Sequence, residues 1–286
     1  MQPFYQPVLF ALFVWWFVTG LVFVAYGRSP RITHLYFLGA TVVMLLAVAG
    51  FIYALEIVTP AGVYLSLTCG ILIWGWQVSG YYLGYITGPE QSVQFYEMVG
   101  NGRSTTPFAR FRYALQASLY HELLIVSFLG LLVFLSQGSP NRWGLWIFVA
   151  LWVMHALAKV NVFLGVRNFR IEFLPAHLHK LDRLLSKQAS NPLMPITALF
   201  GTCIALVLTY RAIMPGTAPD QVVGHLAVGT MLVLGVIENI LLVLPLPATL
   251  WGWGVRALPK SVNLPAEPQQ KKQPTLRIFP EQVVEG

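Results

Sequence analysis

The run Leu119–Phe128, LYHELLIVSF, sets His121 and Glu122 side by side in a stretch otherwise as apolar as lipid. An ionised carboxylate at the centre of a membrane helix costs about 2.5–3.5 kcal/mol on insertion scales, so it is rarely idle. Imidazole beside carboxylate is the material of metal ligation and proton transfer. The zinc-protease pattern H-E-x-x-H is excluded, because Ile125 occupies the second histidine position. Further polar side chains interrupt other apolar runs: Gln77, His155 with Lys159 four residues later, and the pair Glu238-Asn239.

These side chains need helices to carry them. Of 286 residues, 56% are hydrophobic and 10% charged. Soluble domains carry about 25% charged residues, so the composition points to a membrane. A hydrocarbon layer about 30 Å thick needs about 20 apolar helical residues. Seven runs satisfy that, at about 7–26, 34–57, 62–87, 113–136, 143–166, 195–214 and 222–246. Gly and Pro mark the breaks, as in Gly27-Arg28-Ser29-Pro30, Thr59-Pro60 and Gly138-Ser139-Pro140. The first run has no basic leader and is too long for a signal-peptide core, so it reads as a retained span. Cys69 and Cys203 lie in apolar runs and read as packed thiols.

Charge sets the orientation. Fifteen of the 18 Lys and Arg residues fall in loops 1–2, 3–4 and 5–6 and in the tail. Arg142 and Arg211 lie on the other side, and Lys159 is inside a span. The positive-inside rule therefore predicts an outside N-terminus and a cytoplasmic C-terminus, which an odd number of spans allows.

With that topology, at about 1.5 Å per residue, Gln77, His121, Glu122, Lys159, Glu238 and Asn239 fall in one layer about 5 Å to the cytoplasmic side of the midplane. His121 and Glu122 point about 100° apart, so their partners are on other helices. Lys159 is the natural counterion for Glu122 or Glu238. Four readings of the layer stay open: a structural polar network, a metal or tetrapyrrole site on His121 or His155, catalysis on a lipid-soluble substrate, and a proton or solute path. No residue is assigned a catalytic role and no metal is named. Gly80, Gly84 and Gly88, four residues apart, predict a close helix contact.

Outside the spans, Leu174, Leu178, Leu181, Leu184 and Leu185 recur at helical spacing opposite His179, Lys180, Asp182, Arg183 and Lys187. This predicts an amphipathic interfacial helix over 174–187, an anchor on anionic lipid or a docking face for a protein. The tail 256–286, rich in Pro, Gln and charge, reads as disordered. Its basic residues, like those of the loops, lack aromatic interleaving, which argues against nucleic acid. The fold class is thus an all-α integral membrane bundle of about seven helices, with one interfacial helix and a disordered C-terminal tail.

Several strings together resemble a known family: FVWWFVTG (13–20), ILIWGWQ (71–77), YITGP (85–89), YHELLI (120–125), LWVMHALAKVNVFLGVRNF (151–169), EFLPAHL (172–178), NPLMP (191–195) and VLPLPATLWGW (243–253). They resemble the photosynthetic complex assembly protein 2 family (PuhE), over about residues 5–255. The resemblance implies an inner-membrane factor that assembles the bacterial reaction centre and its light-harvesting antenna. It adds Asn161 to the polar cluster and marks Arg167, Asn168, Glu172 and His177 as a cytoplasmic-face motif. The chain departs from the family pattern at Val78, where Glu is expected, at His155, where Arg is expected, and at Asn239, where His is expected. It therefore reads as a divergent member. The implied partners are lipid and reaction-centre or antenna subunits, acting by transient binding of client helices or pigment. The alternative is a membrane enzyme, or a pigment- or metal-binding protein, that handles a bacteriochlorophyll-pathway compound through the polar layer. Bacteriochlorophyll or another tetrapyrrole is the cofactor that alternative would use.

Overall fold

Proline opens four of the helices, at the first helical position where its missing N–H costs nothing. Their residue pairs are Ser29-Pro30, Thr59-Pro60, Thr106-Pro107 and Ala218-Pro219. Thr59 and Thr106 also cap their helices, accepting from Gly62 N and Ala109 N at 3.2 Å. The computed structural model describes residues 4–25, 28–89, 106–167, 184–186 and 188–243. The eight helices among them are α1 (Tyr5–Ala25), α2 (Pro30–Ala54), α3 (Pro60–Tyr82), α4 (Pro107–Gln116), α5 (Leu119–Leu135), α6 (Trp143–Leu164), α7 (Leu193–Ile213) and α8 (Pro219–Leu241). No strand occurs among the described residues. Six helices are long and apolar enough to cross a bilayer, and α4 with α5 makes a seventh crossing if the bent pair counts as one. The protein is an all-helical, multi-pass membrane protein.

The centre is α3 and α8, whose apolar stretches are 61% and 67% buried, against 17% for the outlying α2. α1 packs on both central helices, α2 on α3, α7 on α8, and α6 between α3 and α8, with α5 outside it. On one side of α3, Val63 and Leu67 meet Ile147 and Met154 of α6 and Val223 and Met231 of α8. On the other, Ile73 and Trp74 meet Phe51, Ile125, Leu132 and Phe148. Lipid supplies no hydrophobic drive between helices, so close packing must hold them. α3 supplies it with small residues at Ser66 and Gly70, which meet Gly144 of α6. A Cβ on Gly70 would strike the Gly144 carbonyl, and one on Gly144 would strike the Ser66 carbonyl.

Two expectations change. The run 113–136 is not one helix: α4 and α5 meet at a 68° bend around residues 117–118. α4 carries its basic and aromatic side chains on a helix without a buried residue, so it leaves the bundle direction instead of entering it. The glycines at 80, 84 and 88 do not share a helix face, because α3 ends at Tyr82. Gly84 turns the chain with φ +83°, a conformation that suits glycine. Gly80 packs on Ile86 and Phe37, and Gly88 presses on the backbone of Gln116 and Ala117 at the α4–α5 bend. Of the run 174–187, only 184–186 is described, and these residues form a turn with Leu184 fully buried. The rest of that helix, and the tail from 256, lie outside the described residues.

Candidate functional site

The ends of α3, α6 and α8 and the starts of α2, α5 and α7 gather on one face, where the loops carry most of the basic residues. The polar side chains gather near it. Tyr81, in the last turn of α3, is the hub of the first group. His121 stacks on its ring at 4.6 Å between centroids. Lys159 Nζ lies 4.6 Å from the centre of the same ring, a cation–π contact. Lys159 Nζ also donates to Glu122 Oε1 at 2.6 Å, and Ser118 Oγ reaches that oxygen at 3.4 Å. Glu122 stands in the first turn of α5, where free N–H groups favour a carboxylate.

The two histidines come from different helices and meet. Their rings stand edge to face at 6.2 Å, and His155 stands edge to face with Trp74 at 5.4 Å. His121 and Gln77 are fully buried. Gln77 lies three residues after Trp74 and four before Tyr81, on the same face of α3, between the ring that touches His155 and the ring that touches His121. The bend at 117–118 places His121 and Glu122 at the entry of a crossing helix, not deep inside one.

The other predicted members separate from this group. Asn161 Nδ2 donates to Thr197 Oγ1 and to Asn239 Oδ1, both at 3.1 Å. Asn239 Nδ2 returns to Gly235 O at 2.9 Å. Together they tie α6, α7 and α8. Glu238 faces α1 instead of Lys159, accepting from Trp15 Nε1 at 3.0 Å. Arg167 is exposed, and Asn168, Glu172 and His177 lie outside the described residues. The predicted layer is therefore three local clusters.

Sequence reasoning missed Tyr81, Asn191 and Trp15. Asn191 donates to Asn161 O and Gly165 O at 3.0 and 2.9 Å. Its Oδ1 accepts from Leu193 N and Met194 N at 3.1 and 3.2 Å, so it caps α7. Asn before an apolar run is a helix-start signal that could have found it. Tyr81 follows Gln77 by one helical turn, which is also legible. Nothing in the sequence aims Trp15 at Glu238.

The sequence pattern of the family described as "Protein of unknown function (DUF3623)" matches residues 1–261. The chain belongs to that family. It is also similar to the "Uncharacterized 30.4 kDa protein in puhA 5'region" of Rhodobacter capsulatus, with 28% identity over 272 residues, covering 91% of this chain and 94% of that one. No solved structure matches the chain.

Among the described residues no three His, Cys, Asp or Glu side chains stand close enough to hold a metal ion. A tetrapyrrole fits no better. Its metal would need an imidazole nitrogen facing an open slot, but Tyr81 covers His121 and Trp74 backs His155. An open, largely apolar groove of about 540 Å³ runs between the start of α7 and the end of α8, lined by Asn191, Pro195, Ala198, Ile240 and Val243.

Proposed function

We propose that this DUF3623 protein is an inner-membrane assembly factor for the bacterial photosynthetic reaction centre and its light-harvesting complex. It binds client helices transiently, with its N-terminus periplasmic and its C-terminus cytoplasmic. The observation that carries the reading is the relative's printed name, which puts its gene in the 5' region of puhA. The likeness of the chain's own strings to PuhE agrees with that setting. Geometry adds the groove between α7 and α8, apolar and open where a client helix could lie. Its neighbour is the Asn161–Asn191–Thr197–Asn239 network, which holds the groove's two walls in register. In this reading the polar clusters fix helix positions and the apolar groove receives the client.

Affinity capture of the tagged chain from a phototrophic host is expected to enrich reaction-centre or antenna subunits. Normal complex assembly in a deletion strain, with neither subunit captured, overturns the reading. The orientation has its own test. A reporter in the 136–140 turn should read periplasm, and one fused at Gly286 cytoplasm; the reverse at either site refutes it.

The alternative, a pigment carrier or pathway enzyme, would have to use His121 or His155, whose rings Tyr81 and Trp74 flank. Absorbance of the purified protein separates the two. A tetrapyrrole spectrum lost in His121→Ala favours the alternative.

A further inference from the structure

Eight buried side-chain nitrogen and oxygen atoms among the described residues lack a hydrogen-bond partner in the protein, and five belong to Gln77, His121 and His155. Both atoms of the Gln77 carboxamide, both ring nitrogens of His121 and Nε2 of His155 are in this set. Native proteins satisfy nearly all buried polar atoms, so five in one place ask for a partner from outside the protein, one that reaches an atom of each side chain. The three side chains come from α3, α5 and α6 and share one neighbourhood, bounded by Trp74 and Tyr81.

The chemistry of the atoms narrows the partner. An uncharged imidazole offers one N–H and one acceptor nitrogen, and a carboxamide offers both kinds of group. A pure acceptor such as a ketone leaves the acceptor atoms unmet, and a pure donor such as an ammonium leaves the N–H groups unmet. A metal ion also fits poorly. A ligating histidine normally gives its other N–H to a neighbour, and neither nitrogen of His121 has one. The Lys159 ammonium sits on Tyr81, the ring that covers His121, and would repel a cation. The partner that both gives and takes is a hydroxyl group. Buried water in proteins makes about three such bonds, which matches three side chains.

We propose that Gln77, His121 and His155 form a binding site for a hydroxyl group, that of a water molecule or of the alcohol end of a lipid-soluble molecule. The Lys159–Glu122 pair beside it is 28% and 24% exposed, while the trio's unpartnered atoms are buried. The site is independent of the assembly role. It would stand if no client were ever captured.

A cryo-EM map of the full chain in nanodiscs, sharp enough to place ordered water, tests it. Density within hydrogen-bond reach of all three side chains is the expected result. Three well-placed side chains with nothing between them overturn the proposal. The thermal midpoint with farnesol, against dodecane as a hydroxyl-free control, identifies the source. A saturable rise with farnesol alone, lost in Gln77→Met, assigns the density to a lipid-soluble alcohol. Density without a farnesol effect assigns it to water. Gln77→Met keeps the side-chain volume, so a folded variant is available for the comparison. A midpoint above wild type in both Gln77→Met and His121→Phe, under all conditions, also overturns the site, since the polar atoms would then have had no partner to lose.

Discussion

At one end of the α3–α6 pair Asn141 Nδ2 donates to the carbonyls of Ala54 and Ile57 at 2.9 and 3.0 Å, and its Oδ1 accepts from Trp143 N at 3.4 Å. One turn away, Ser66 Oγ accepts from Gly144 N at 2.8 Å. At the other end of the same two helices Gln77 and His155, with His121 of α5, are as deeply placed and leave five polar atoms without a protein partner. Both ends have aromatic neighbours and both are helix contacts, so burial alone does not separate them. What differs is satisfaction. The Asn141 and Ser66 side chains have all their polar atoms bonded and join helices, although Tyr64 Oη and His225 Nδ1 near that end lack a protein partner. The Gln77 end is left open, and a group that costs stability without joining anything is where function is expected.

The largest effect should follow from breaking the closed end. Asn141→Ala removes the partners of Ile57 O and Trp143 N, while Ala54 O keeps its bond from Ile57 N at 3.1 Å. At about 1–3 kcal/mol for each group left unmade, the loss is about 2 kcal/mol or more. Unfolding in mild detergent, followed by thermal melting, should show a large drop in midpoint. A drop no larger than that of an exposed-site control would mean that lipid or water replaces the bonds, and the contrast between the ends would fail.

Next comes the ion pair beside the open end. An exposed pair contributes about 0–1 kcal/mol, and stranding one member of a fully buried pair costs about 3–5 kcal/mol. Glu122 and Lys159 are about three-quarters buried. Glu122→Gln or Lys159→Met alone should therefore cost about 2–3 kcal/mol. The double variant should regain most of it, because no charge is stranded. Strictly additive losses would show that the 2.6 Å contact contributes nothing.

The contrast also explains what was legible. Long apolar runs are dictated by lipid, so the crossings α2, α3, α6, α7 and α8 stand out at once. The α4–α5 bend does not, because the polar stretch QASLYHE (116–122) that lies over it also suits a polar layer inside one continuous helix. The cause is lateral. Gly88 packs on the backbone at the bend, and His121 N donates to Thr87 O instead of continuing the α4 ladder. Neither contact has a signature in the run itself. Polar residues in apolar runs were readable as a set, but which pairs with which depends on helix rotation. Hence Glu122 with Lys159 followed from sequence as one of two options, while Glu238 with Trp15 did not. The close contact was sought at 80, 84 and 88 and is found at 66 and 70, which face Gly144 of α6 where α3 has not yet ended.

The smallest effect concerns α4, which reaches over the open end from outside the bundle. Arg110 holds it to the 184–186 turn, with Nε and Nη2 donating to Leu184 O at 3.1 and 2.7 Å. Phe111 adds an edge-to-face contact with Phe163 of α6 at 5.4 Å. Hydrogen bonds from a charged group contribute about 1.5–3 kcal/mol when buried. These are only part-buried, and α4 contains no buried residue of its own. Arg110→Met should thus lower global stability by about 1 kcal/mol or less. The local effect should be larger than the global one, because few other contacts hold α4 down. Hydrogen exchange over 107–116 should accelerate at least several-fold, while exchange in α3 and α6 stays as in the wild type. If α3 and α6 loosen together with α4, the bent segment is part of the core and the two ends of the α3–α6 pair are not independent. If α4 does not loosen at all, lipid rather than Leu184 holds it in place.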